Sequence, residues 1–143
     1  MHPTRIHFSI GFYHRNLPDL DVVSKSDPMV VVYENRDDAG WKEVDRTEMV
    51  KNSLNPEFAK NIKMEYHFEM RQKIRFDVYD VDTTPTSPLE DHDFVGSAEI
   101  LLSDIITERK CHYVDELACK DKKGRGTISV FCEEDNGCDD LIE

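Results

Sequence analysis

The side chains best equipped for chemistry in this chain are carboxylates, and they are bunched. The stretch YDVDTTPTSPLEDHDFVG, residues 79–96, holds Asp80, Asp82, Glu90, Asp91 and Asp93, and it follows directly on a hydrophobic alternation. A second acid-rich stretch, RNLPDLDVVSKSDP, carries Asp19, Asp21 and Asp27. Crowded carboxylates repel one another, so some would take up protons or a cation would sit between them. Carboxylate oxygens with backbone carbonyls are the ligand set of a hard cation. Calcium suits such loops best, because it accepts about six to eight oxygens in irregular geometry, whereas magnesium demands a tighter octahedron and keeps its water. Zinc prefers nitrogen or sulfur, and only His92 is local. Asp80 and Asp82 stand two apart at a strand end, so their side chains lean the same way, and Val81 between them can offer its carbonyl. Asp21 and Asp27 bracket a six-residue step that can fold back as a cup. For Asp19, Asp37, Asp38 and Glu90 taken alone, the preference of acidic residues for turns is explanation enough.

Paired carboxylates also do acid–base work in glycosidases. Those sites sit in clefts lined with aromatics. Aromatics make up 9% of this chain and mostly follow strand periodicity. There is no Gly-rich phosphate loop, nucleophile elbow or HExxH motif, so the chain does not read as an enzyme.

The elements that must position these aspartates are strands, because the dominant signal is period-2 alternation. Ile6, Phe8, Ile10 and Phe12 alternate with His7, Ser9 and Gly11; Ile62, Met64, Tyr66 and Phe68 do the same, as do Ile74, Phe76 and Val78. Phe94, Ala98, Ile100 and Leu102 keep the rhythm, and so do Ile128, Val130 and Cys132. Met29 to Tyr33 is a short apolar run. This predicts about eight strands, near 5–14, 28–35, 41–49, 60–67, 73–80, 94–102, 112–117 and 125–132. LLSDIITERK can hold one or two helical turns, with Ser103 or Asp104 as N-cap. Short strands with turns between them point to an all-β, eight-stranded antiparallel β-sandwich. Successive turns then alternate between its two ends, so connections 1–2, 3–4 and 5–6 share one rim. That brings the two acid-dense loops together. The acidic tail EEDNGCDDLIE lacks periodicity and reads as a linker or frayed end.

A chain of 143 residues suggests one domain with a sizeable core. With 30 acidic against 18 basic residues the net charge is −12, which should repel nucleic acid and bare anionic membranes. No apolar run approaches the ~20 residues of a membrane span, and the N-terminus lacks a signal-peptide core, so an intracellular protein is expected. Cys111, Cys119, Cys132 and Cys138 fit no zinc spacing and read as reduced thiols. Trp41 reads as a core anchor or a hairpin edge, and the six histidines as surface or satisfied residues.

Several phrases resemble a known family. LPDLDVVSKSDPMVVV is similar to the first calcium loop of a C2 domain, NSLNPEF to its Asn-Pro turn, and FDVYDVD followed by DHDFVG to its third calcium loop. Within that family, SKSDP, WKEVDRTEMVKNSLNPEF, IRFDVYDVD and EDHDFVGSAEILLSDIITERK most resemble the N-terminal C2 domain of a copine. The resemblance covers about residues 5–132. It implies a Greek-key sandwich in which the first strand feeds calcium loop 1, a single C2 domain over 1–134, and a tail or linker over 135–143. A copine would continue into a second C2 domain and an integrin-type A domain, so a fragment is expected.

Position by position, the resemblance implies Asp21 and Asp27 as loop 1 ligands and Asp80, Asp82 and Asp93 as loop 3 ligands. The carbonyls of Leu20 and Val81 would complete the shells of two calcium ions, with a third as the alternative. Ten residues separate Asp82 from Asp93, longer than the usual third loop, so Asp91 is a candidate to replace or join Asp93. The implied activity is calcium-dependent binding to acidic phospholipid such as phosphatidylserine, by a monomeric domain that moves from cytoplasm to the inner face of the plasma membrane. Two ions would take the net charge from −12 to −8 and change the local field at the rim far more, an electrostatic switch. Val22 and Val23 at the tip of loop 1, and Leu89 in loop 3, would either enter the lipid interface or pack beneath their loops. Burying each valine in lipid would contribute roughly 1–2 kcal/mol. Arg15 and Lys25 lie close enough to loop 1 to meet lipid phosphate, or are ordinary solvated charges. Lys60 and Lys63 form only a weak basic patch, since Asn61 and Glu65 interrupt it. The alternative function is a protein-interaction module of the same fold, with little or no calcium dependence.

Overall fold

Strands with apolar residues at every second position bury one face each, so they must stack as two sheets with those faces inward. The computed structural model describes residues 3–14, 27–51, 53, 55–81, 88–108, 110–118 and 126–135. The strands are β1 (Thr4–His14), β2 (Pro28–Arg36), β3 (Trp41–Arg46), β4 (Ile62–Tyr66), β5 (Gln72–Asp80), β6 (Asp93–Leu101), β7 (His112–Glu116) and β8 (Gly126–Glu134). A short helix α1 (Leu102–Thr107) follows β6, and a 3₁₀ turn (Leu89–Asp91) precedes it. One sheet runs β4-β1-β8-β7 and the other β3-β2-β5-β6, with every ladder antiparallel. The eight expected strands are therefore all present, in a Greek-key sandwich.

The core lies between the sheets. Phe8 and Phe12 of β1, Val30 and Val32 of β2, Phe76 and Val78 of β5, and Ile128 and Val130 of β8 all belong to one buried cluster. Phe8 meets Phe76 edge-on at 5.8 Å across the layers, which locks the two central strands together. Strict antiparallel alternation puts connections 1–2, 3–4, 5–6 and 7–8 at one rim. The start of β1 and the finish of β8, paired through Ile6 and Glu134, lie at the other.

Four local expectations change. Helix α1 begins at Leu102 with Leu101 as its uncapped N-terminal residue, not at Ser103 or Asp104. Leu102 and Ile105 are both fully buried, so core packing overrides cap chemistry, and Asp104 instead faces the dipole from the first turn. Strand β4 stops at Tyr66, leaving Phe68 60% exposed in a turn. Strand β3 stops at Arg46, because the Thr47 hydroxyl accepts the Val30 N–H at 2.9 Å in place of the ladder carbonyl. Strand β6 carries a bulge: Val78 opposes Gly96 while Tyr79 opposes Phe94, so Val95 is the extra residue. Val95 turns into the core and Phe94 turns outward onto Tyr79, their ring centroids 5.5 Å apart.

The apolar run of β2 also finds its reason. Val30 and Val32 face the main core, while Met29 and Val31 are equally buried on the other side. There they form a second cluster with Val81, packed against Tyr33, Met49, Tyr79 and Leu89.

Candidate functional site

The site is built at the rim ends of β2, β5 and β6. Asp80 closes β5, directly opposite Pro28 on one neighbour and Asp93 on the other. Asp27 precedes Pro28, and its N–H donates to Asp80 Oδ1 at 2.9 Å. The Val81 N–H donates back to the Asp27 carbonyl at 3.0 Å. This reciprocal pair holds the entry of β2 and the exit of β5 in fixed register. The segment after β3 reinforces it, since Thr47 N–H donates to Val30 O at 2.8 Å and Val50 N–H to Pro28 O at 3.1 Å. Three aspartates from three sequence-distant segments are thus delivered to one edge by strand pairing, neighbouring strands being ~4.8 Å apart. Asp27 and Asp80 are half-buried and Asp93 is exposed.

The remaining expected residues fall out as follows. Val81 is buried, its side chain in the second cluster. Leu89 is half-buried and packs against that same cluster. Asp91 sits in the 3₁₀ turn, closed by His92 N–H donating to Leu89 O at 3.0 Å, and its side chain lies outside the described structure. Arg15, Leu20, Asp21, Val22, Val23, Lys25 and Asp82 lie outside the described residues. Among the described residues no group of three or more His, Cys, Asp or Glu side chains converges to hold a metal ion. The donors that the strands do bring to this edge are carboxylates, a set that fits a hard cation rather than zinc.

Away from this rim, on the outer face of the β3-β2-β5-β6 sheet towards the β2–β3 hairpin, sits a cluster that alternation alone did not reveal. The Arg75 guanidinium lies 4.3 Å from the Tyr33 ring centroid and 4.8 Å from that of Trp41. It also pairs with Asp77 at 3.0 Å. Trp41 therefore stands at an edge strand as a platform for a cation, not in the core. Burial pushes the Asp77 carboxyl above its ordinary range, against the pull of Arg75. Burial, helped by the Asp77 charge, pushes the Tyr79 hydroxyl up to about 12. Arg46 is held by Glu43 at 2.7 Å, and Lys60 by Asp45 at 2.9 Å. Each of these cations already has a carboxylate. The sequence signal was the Arg75–Asp77 pair inside a strand whose other neighbours are aromatic, which reads at first as ordinary polar alternation.

The chain matches the C2 domain family over residues 13–117. It is 45% identical over 137 residues to Protein BONZAI 1 of Arabidopsis thaliana, covering 87% of this chain and 24% of that protein. The chain thus spans about a quarter of that relative's length. Among solved structures, a C2 domain of plant Extended Synaptotagmin 1 superimposes with a TM-score of 0.63 at 20% identity, over 92% of this chain and 95% of that one. The calcium-bound pair of C2 domains from Extended-Synaptotagmin 2 superimposes with a TM-score of 0.58 at 20% identity, over 92% of this chain and 45% of that one. With sheet order, strand directions and family match in agreement, the chain belongs to the C2 domain family.

Proposed function

We propose that this domain is a calcium-dependent module for acidic phospholipid, such as phosphatidylserine, in a copine-like protein. The observation that carries the reading is the delivery of Asp27, Asp80 and Asp93 to one rim by the β2, β5 and β6 pairings. Membership of the C2 family and 45% identity to BONZAI 1 fit a copine-like relationship. Asp21 and Asp82, with Asp91 joining or replacing Asp93, would add carboxylates, and Leu20 and Val81 carbonyls, to a site for two calcium ions. Bound calcium supplies positive charge at an otherwise negative rim.

The chain's own groups do the rest. The Asp27 N–H fixes one oxygen of Asp80, which limits the side-chain entropy lost on binding. Val22 and Val23 would enter the lipid interface, with Arg15 and Lys25 at its phosphates. Leu89, packed on the second cluster, would offer the bilayer only its exposed part. Residues 1–134 form the domain and 135–143 the link onward, and the module would move from cytoplasm to the inner face of the plasma membrane.

The test is co-sedimentation with phosphatidylserine vesicles, in calcium and in chelator, for wild type and the Asp80→Asn/Asp82→Asn variant. Binding that needs both calcium and the two aspartates supports the switch. Binding indifferent to calcium, or none in either condition, overturns it.

A further inference from the structure

The end of the sandwich opposite the acidic rim holds two cysteines that the lipid site does not use. The β7–β8 ladder ends with His112 opposite Phe131, and Cys111 and Cys132 are the next residues outward on the two segments. The Cys132 N–H donates to the Cys111 carbonyl at 2.9 Å, so the two backbones touch through one hydrogen bond just past the end of β7. Residues joined by a hydrogen bond across an antiparallel pair have Cα atoms about 5.5 Å apart, and a contact of that kind lies inside the window of about 4.4–6.8 Å that a disulfide requires. Both side chains belong to the same face: Cys132 is buried in the main core, and Cys111 is half-buried and packs against that core. Cys111 itself is held in place, its N–H donating to Ile105 O at 2.7 Å, at the end of a left-handed turn with φ 52° at Lys110 and 66° at Cys111.

We propose that Cys111 and Cys132 form a reversible disulfide, a modification site that clamps the α1–β7 turn to the last strand. With oxidised glutathione as oxidant, the Cys111 thiolate attacks one glutathione sulfur and releases one glutathione. The Cys132 thiolate then attacks the Cys111 sulfur of the mixed disulfide and releases the second glutathione. Two protein thiols are oxidised, one glutathione disulfide is reduced, and both protons end on glutathione. The half-exposed Cys111 is the entry point. Cys132 is the resolving thiol, and burial, with Cys111 and Glu133 beside it, pushes its thiol up to about 12.

The experiment uses the chain with Cys119→Ser and Cys138→Ser, leaving only the proposed pair. It is incubated folded with oxidised glutathione and followed by intact mass and non-reducing peptide mapping. The expected product is a monomer lighter by two hydrogens, with a Cys111–Cys132 cross-linked peptide, a Tm higher by several degrees and full reversal by dithiothreitol. Adding Cys132→Ser should trap a glutathione adduct at Cys111. Should that variant fail to fold, Cys111→Ser should instead leave Cys132 unmodified in the native state. A stable mixed adduct at Cys111 with Cys132 present, an intermolecular dimer, or two thiols that stay reduced would each overturn the proposal.

Discussion

Asp77 shows how much a single side chain can conflict with its surroundings. It is 6% exposed, and burial opposes its charge even with Arg75 at 3.0 Å. Its folded pKa lies above the ordinary 3.8, so its contribution to stability is fully present below that value and is lost as pH rises through the folded pKa. The stability of wild type relative to Asp77→Asn should therefore fall as pH rises from about 4 towards neutrality, as read from urea midpoints at each pH. Arg75→Ala should be the more damaging change at neutral pH. It strips a cation from the faces of Tyr33 and Trp41 and leaves Asp77 buried without its partner, at a cost of about 2–3 kcal/mol in urea unfolding. A cost within error of zero would mean that water replaces the guanidinium.

Strands were legible in the sequence because each must bury one face, and period-2 spacing records that requirement directly. All eight appear, and interior strands such as β2 and β5 end within a residue of where alternation stops. Errors occur where packing overrides local chemistry. Leu102 needed the core more than Ser103 or Asp104 needed to cap, and the Val95 bulge reverses which of two adjacent apolar residues points inward. Neither is written in a local pattern. The site was half legible. That the acidic loops share a rim follows from counting strands, but the Asp27–Asp80 hydrogen bond depends on which strands are neighbours, and β2–β5 is not a sequence-adjacent pair. The bulge also sets up a close approach at Gly96, where a Cβ would stand 2.8 Å from Leu117 Cβ and 3.2 Å from Ala118 O. Gly96→Ala should therefore push β6 away from the Leu117–Ala118 segment and cost about 1–3 kcal/mol, seen as a Tm lower by about 3–9 °C.

At the scale of the molecule, net charge and the proposed metal site act together. A chain at −12 destabilises its own compact state through repulsion, and cations bound only by the folded form oppose that. Calcium should raise the Tm of the wild type with a dependence on calcium concentration, and the shift should shrink sharply in Asp80→Asn/Asp82→Asn; equal shifts in both would place the bound ions elsewhere. The directions of β1 and β8 carry one more consequence. Both run the length of the sandwich, and β8 delivers the chain at Glu134, beside Ile6, at the end remote from the acidic rim. Nine residues of strand span about 30 Å. With the rim seated on a bilayer, the domain is a pedestal: whatever continues beyond residue 135 starts about that height above the lipid headgroups, facing the aqueous phase rather than the surface to which its anchor is bound.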